Sequence, residues 1–246
     1  MDTLLAGEIV ALLERRSIPL WGVADVSLYR KLFPELTWHF PHQPPRAVVA
    51  VAPMLSGVLE SLEEGPNLVY FHHYRQLNNL LDRVAYEISL LLERRGFSAL
   101  PIAASQTLDA DDLTAHVSHR HLAYCAGMGW RGKNNLLVNP RFGCRFRLVS
   151  VLTDAPFDAG RPPEGRDCGA CTLCRDACPS GAIGERAEDF RLDLCHAQLS
   201  EFRKIPRVGQ RICGLCQKAC PRGSRGTGAA SSAGGDAFAG EILKPW

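Results

Sequence analysis

Four cysteines, Cys168, Cys171, Cys174 and Cys178, with Pro179 directly after the last, constrain this chain more than any other feature. The spacing puts three thiolates in one tight loop and a fourth at the point where proline turns the chain away. Bacterial-type ferredoxins hold iron-sulfur clusters with such a run. A second copy follows with its first ligand displaced upstream: Cys195, then Cys213, Cys216 and Cys220 before Pro221. Together they make two four-iron four-sulfur sites. In paired motifs the cysteine before proline ligates the other cluster. The expected sets are therefore Cys168, Cys171, Cys174 and Cys220 for one, and Cys178, Cys195, Cys213 and Cys216 for the second.

Structural zinc also takes four thiolates, but usually through two separated Cys-x-x-Cys knuckles rather than three ligands in one loop. A disulfide framework suits short stapled scaffolds, whereas these cysteines are concentrated at ligand spacing in a chain of 246 residues. That length holds one substantial core plus a small cofactor-nucleated unit. A hydrophobic fraction of 46% is ordinary for a globular protein. The first residues, Met1 to Glu8, are too acidic for a signal peptide, and no apolar run is long enough to span a bilayer. A reducing cytoplasm is the expected location, with no membrane partner. A net charge of +2 gives no whole-protein field favouring nucleic acid.

Leu5, Ile9, Leu12 and Leu13 recur at helical spacing between Thr3 and Arg16. Ile18 to Asp25 and Arg46 to Ala52 read as buried strands, the second a central one covered on both faces. Leu77, Leu81, Val84, Ile88 and Leu91 form the stripe of a long helix ended by Gly96. Before it, Tyr70 to Arg75 gathers aromatics and histidines, whose expected role is packing or capping rather than ligation. Phe97 to Ile102 is a further strand. Leu136 to Val138 and Phe146 to Thr153 flank a turn at 139–143 and read as a hairpin.

Between Asp112 and Asp154 there is no acidic residue, while Arg120, Arg131, Lys133, Arg141, Arg145 and Arg147 supply positive charge, with His116, His119 and His121 among them. A window this one-sided makes a positive local potential. Gly127, Gly129 and Gly132 accompany Trp130, Arg131, Lys133 and Asn135, and would let backbone amides approach an anionic ligand closely. A helical pattern (Val117, His121, Tyr124, Cys125) precedes this stretch, so it is not a dinucleotide fingerprint, which follows a strand. Cys125 and Cys144 lie outside the cluster motifs. Buried structural cysteine is their commoner fate, with Cys144 the better redox candidate because Arg141 and Arg145 flank it.

The Gly127-x-Gly129-Trp130-x-Gly132-Lys133 stretch, Leu136 to Pro140, Leu152 to Pro156 and the double cysteine motif resemble the epoxyqueuosine reductase family, continuously from about Val117 to Pro221. The resemblance implies a nitroreductase-like α/β first domain that holds a corrinoid (cobalamin), followed by a ferredoxin-like domain with two four-iron four-sulfur clusters. It implies an oxidoreductase fed by an external electron donor of flavodoxin or ferredoxin type and acting on a small molecule or modified nucleoside, with transfer RNA as a possible partner. Expected boundaries are 1–160, 161–222 and a Gly/Ser/Ala-rich tail at 223–246. Gly127, Gly129, Trp130, Arg131, Gly132, Lys133 and Asn135 are the expected cofactor-binding residues.

Two departures stand out. The family's general-acid aspartate falls on Leu113, beside Asp111 and Asp112, so Asp112, His116 and His119 are the candidate proton donors. The helical repeats that follow the clusters in many relatives are replaced by the tail. A shorter branch of the family, with a Ser-His-Arg/Lys stretch like Ser118-His119-Arg120, is the closer match. Epoxyqueuosine reductase proper, acting on transfer RNA, is one rival reading, and a non-catalytic ferredoxin-like electron carrier is the rival from another class.

Overall fold

Apolar runs separated by breakers fold into strands β1 (Leu20–Asp25), β2 (Arg46–Pro53), β3 (Ala99–Ile102) and, much later in the chain, β6 (Phe146–Thr153). The computed structural model describes residues 3–36, 40, 43–108 and 115–221. The four strands make one antiparallel sheet in the order β1-β2-β6-β3. Strand β2 is internal, and its six middle residues are buried. Because successive strand side chains point to opposite faces, Val48, Ala50 and Ala52 enter one core while Ala47, Val49 and Val51 enter another.

Helices cover both faces. Helix α1 (Thr3–Arg15), the short α3 (Ser56–Glu60) and the 27-residue α4 (Leu68–Arg94) fill the first with Leu5, Ile9, Leu13, Leu59, Leu81, Val84 and Ile88. Helix α2 (Val26–Leu32) starts where the Asp25 carboxylate caps the amides of Ser27 and Leu28. With α5 (His119–Cys125) it closes the second face through Tyr29, Leu122 and Cys125. The mixed α/β class read from the sequence is thus present, with helices on both sides of an antiparallel sheet. Helix α4 ends where Gly96 takes a φ of 83°. The Tyr70 to Arg75 cluster lies inside α4, and buried His73 accepts the Leu55 amide on Nε2 at 3.1 Å, a packing role.

One expectation is corrected. Leu136 to Val138 and Phe146 to Thr153 do not form a hairpin. Strand β5 (Leu137–Val138) pairs with β4 (Trp130–Arg131) in a separate two-stranded ribbon, and β6 joins the main sheet. Asn139 separates them: its Oδ1 accepts the Arg141 and Phe142 amides, and its Nδ2 donates to the Met128 carbonyl at 2.7 Å.

The cysteine-bearing segment carries three short helices: α6 (Leu173–Asp176), α7 (Leu192–Phe202) and α8 (Leu215–Ala219), joined by loops. It does not stand apart from the sheet. Val208, Ile212 and Leu215 belong to the same core cluster as Leu59, Leu62 and Tyr70. At the expected boundary, the Gly160 amide donates to the Val23 carbonyl, and a Cβ at Gly160 would lie 2.1 Å from the Ala126 carbonyl oxygen. The tail from 223 onward lies outside the described residues.

Candidate functional site

None of the ten cysteines is in a disulfide. Burial pushes Cys174 up to about 11, and the neighbouring thiols that add to this are Cys168, Cys171 and Cys220. Burial likewise pushes Cys213 up to about 11, with Cys195 and Cys178 as its thiol neighbours, and raises Cys195, whose neighbour is Cys178. Cys216 is raised by burial and then by Cys213, with Cys174 and Cys195 weaker. Thiols disfavour one another's charged form only at short range, so two neighbourhoods are present. Among the described residues no three His, Cys, Asp or Glu side chains converge as they would around one metal ion.

The α/β layer grips this segment through polar side chains. Lys133, in the turn between β4 and β5, donates from Nζ to the carbonyls of Gly169 (2.7 Å) and Cys171 (3.0 Å). Arg145, 6% exposed, donates from Nε to the Cys220 carbonyl at 3.1 Å and also bonds the Lys218 carbonyl, satisfying the C-terminal end of α8. Gln217 donates to the Cys144 carbonyl at 2.8 Å and accepts from the Tyr70 hydroxyl at 3.1 Å. Buried Asn134 donates to Cys144 Sγ at 3.2 Å and hydrogen-bonds Cys216 as well.

Several expected binders serve this grip instead. A Cβ on Gly129 would sit 2.2 Å from the Val138 carbonyl oxygen, and one on Gly132 would meet Val138 and Asn134. Gly127 has a φ of +76° and its missing side chain admits the Arg161 carbonyl. The close approach these glycines permit is therefore that of the protein's own backbone. Trp130, 3% exposed, packs with Val138, Cys144 and Cys220. Asn135 is left-handed, with a φ of 59°, and its amide closes the turn onto the Gly132 carbonyl. Cys144 is buried: hydrogen bonding with Cys220, then burial, pushes its thiol well up, and Arg145, the better-placed of its candidate partners, bonds carbonyls.

Of the candidate proton donors, Asp112 lies outside the described residues. His116 bonds Gln106 Oε1 through Nδ1 at 2.8 Å and stacks on Phe40 at 5.4 Å. His119 contacts Ser150 Oγ at 2.8 Å through Nδ1 and the Ala103 carbonyl at 2.9 Å through Nε2. Because a carbonyl only accepts, Nε2 carries the proton and Nδ1 accepts from the serine. Burial pushes His119 down to about 4, so near neutral pH it is uncharged and bonded at both nitrogens.

Sequence reasoning missed Tyr70, Asn134 and Gln217, and treated Arg145 only as part of a positive window. Tyr70 and Gln217 are 147 residues apart, so no local pattern marks them, and Asn134 sits in a run whose glycines and charges point elsewhere.

No family model matches the chain. It is 31% identical over 140 residues to the epoxyqueuosine reductase of Aliivibrio fischeri, a match covering 54% of this chain and 34% of that protein. The Cyclobacterium marinum epoxyqueuosine reductase is 44% identical over 70 residues, covering 28% of this chain and 23% of that protein. The chain thus spans about a third or less of these curated relatives. Among solved structures, a reductive dehalogenase described as acting by B12-dependent dehalogenation superposes with a TM-score of 0.68 at 19% identity, over 88% of this chain and 32% of that one. An epoxyqueuosine reductase bound to an epoxyqueuosine-modified tyrosine transfer RNA stem loop gives 0.54 at 20% identity, over 89% and 65%. In sequence the chain resembles the epoxyqueuosine reductases, and in fold it shares their architecture and that of the dehalogenase.

Proposed function

We propose that this chain is an iron-sulfur reductase whose two four-iron four-sulfur clusters relay electrons from an external flavodoxin- or ferredoxin-type donor to an acceptor held against the α/β layer. The observation that carries this reading is the double cysteine motif before Pro179 and Pro221, supported by the closeness of Cys174 to Cys168, Cys171 and Cys220 and of Cys213 to Cys178 and Cys195. Trp130 and Val138 line the side of the first with apolar surface, and Lys133 fixes the loop bearing Cys168 and Cys171. Clusters of this kind supply electrons at strongly negative potential, suited to demanding reductions. The protein holds their ligands, excludes water and orients the acceptor.

Cobalamin is the acceptor we propose, on the likeness to a B12-dependent dehalogenase fold. Gly127, Gly129, Gly132 and Lys133 offer it no cradle, since their space and hydrogen bonds are taken by the chain itself. Other residues must hold it. Reductive opening of an epoxide, the reaction type named by the relatives, leaves an alkoxide that needs a donor within hydrogen-bond reach. Asp112 or His116 fills that role, His119 being neutral and bonded at both nitrogens. A modified nucleoside in transfer RNA is the substrate reading favoured by the stem-loop complex of the similar structure. We place the protein in the cytoplasm, where free thiols persist; no helix among the described residues is long and apolar enough to cross a membrane.

The test is an anaerobic visible spectrum with iron, sulfide, cobalt and zinc quantified, before and after hydroxocobalamin and desalting. Binding of about eight irons with retained cobalt is expected. Cys178→Ser should disturb the cluster of Cys195, Cys213 and Cys216 and spare the one ligated by Cys168, Cys171 and Cys174. Zinc in place of iron would sink the relay. Iron without cobalt would leave an electron carrier or another acceptor.

A further inference from the structure

Two helices of one layer end in nearly the same sequence. Glu8 to Arg16 in α1 and Glu87 to Arg95 in α4 both read Glu-Ile-x-x-Leu-Leu-Glu-Arg-Arg, differing only at Val10 against Ser89 and Ala11 against Leu90. Each run is stopped by a left-handed residue, Ser17 with a φ of 55° and Gly96 with a φ of 83°. Ile9, Leu13, Ile88 and Leu92 are sunk in the core. Between the runs, Arg16 pairs with Glu87 and Arg95 with Glu8. Numbers rise along one helix as they fall along the other, so the two runs are antiparallel and related by a local two-fold near Leu12 and Leu91.

Other residues of the same runs line a groove of about 920 Å³, whose apolar lining is Ala11, Leu12, Leu90 and Leu91. Arg15 and Arg94 stand at its opposite ends, both exposed, each directly after an exposed glutamate, Glu14 and Glu93. Among the described residues none of these four takes part in an ion pair. A helix C-terminus attracts arginine through its dipole. The dipole gives no reason for the apolar lining between the two arginines, nor for the unanswered glutamates. Tyr86, 58% exposed, precedes Leu90 by one turn of α4.

We propose that this groove is where two copies of the chain meet, through an isologous contact that uses the same patch of α1 and α4 on both sides. The charges fit that occupant. Each end of the patch offers one unpaired acid and one unpaired base, so a facing copy brings glutamate to arginine at both ends. A polyanion such as nucleic acid fits poorly, because the repeat sets four glutamates among its four arginines. Exposed Tyr86 is the kind of aromatic anchor such contacts use, with the leucines as its apolar seat. The contact lies away from the cysteines: Tyr70 bonds Gln217 of α8, and the helix from Tyr70 to Leu91 spans about 30 Å. The interface does not depend on the relay reading, since it uses only the two helices.

Sedimentation velocity of the full, cluster-loaded chain, held anaerobic, tests the proposal. A dimer that forms with rising concentration is expected, weakened at least tenfold by Tyr86→Glu. Making the rim acidic (Arg15→Glu with Arg94→Glu) or basic (Glu14→Arg with Glu93→Arg) should give two monomeric proteins that form a heterodimer when mixed. All five positions are exposed, so far-ultraviolet ellipticity should be unchanged; if a rim variant does not fold, Tyr86→Glu decides. A chain that stays monomeric up to about 100 μM, where a contact of micromolar Kd is nearly complete, overturns the interface. So does a dimer indifferent to every variant, or two folded rim variants that fail to associate. A monomer that instead takes up an acidic amphipathic peptide gives the groove to another partner and equally overturns it.

Discussion

Lys133 shows how one side chain can be misread in sequence and still matter. Among glycines and arginines it looks like a hand held out to an anion; folded, its ammonium is spent on the carbonyls of Gly169 and Cys171. Hydrogen bonds from a charged donor contribute about 1.5–3 kcal/mol each when buried, less at a partly exposed site such as this. Lys133→Met should therefore loosen the loop of Cys168 and Cys171 by about 1–2 kcal/mol. On the proposed cluster assignment, iron should leave the cluster held by that loop first under chelator, while the one assigned to Cys178, Cys195, Cys213 and Cys216 stays. Cluster-resolved electron paramagnetic resonance during the challenge checks it, and equal loss from both clusters would remove Lys133 from this role. The glycines were misjudged for a related reason. A missing Cβ signals that something comes close, and the sequence does not say whether that is a ligand or, as at Gly129, the Val138 carbonyl.

At the scale of elements, legibility follows the range of the interactions. Helix α1, helix α4 and strand β2 announce themselves, because helical stripes and unbroken β-branched runs are local consequences of burial. The cysteine motifs themselves are legible because ligand spacing and the proline turn are local too. The pairing of β5 and β6 was not, since a turn between two strand-like runs does not specify that they pair with each other. Helix α8 is held only by distant partners, and its N-cap Gly214 illustrates the tightness. With a φ of 87°, a Cβ there would meet the Tyr70 ring at 2.6 Å and Leu62 at 2.8 Å. Gly181 shares the left-handed backbone, with a φ of 64°, but has nothing within 4 Å of that position. Both alanine variants incur backbone strain of about 1–2 kcal/mol. Only Gly214→Ala adds overpacking, about 1–3 kcal/mol more. Thermal denaturation of the two variants measures the difference, and equal destabilisation would mean that Tyr70 and Leu62 give way freely.

For the molecule as a whole, the boundary expected near residue 160 marks a change of chemistry more than a gap in packing. Val208, Ile212 and Leu215 share a core with Leu59, Leu62 and Tyr70, and the Tyr70, Arg145 and Gln217 bonds cross the same surface. One cooperative thermal transition is therefore expected, with cluster absorbance and far-ultraviolet ellipticity lost together. Two separated transitions would show independent units. The composition could not reveal this, because apolar residues in a ligand loop look the same whether they shelter a cluster or plug a neighbouring core.

That shared core sets an order of events during synthesis. The ribosome delivers the sheet, complete once β6 has emerged, roughly sixty residues before the plug at Val208 to Leu215 follows. Over that interval Leu59, Leu62 and Tyr70 wait uncovered, and the last ligands arrive on the same stretch that seals them. With the clusters proposed above, chain closure and metal loading converge on one late step, and a polypeptide starved of iron is left with its core ajar, readable by chaperones and proteases as unfinished.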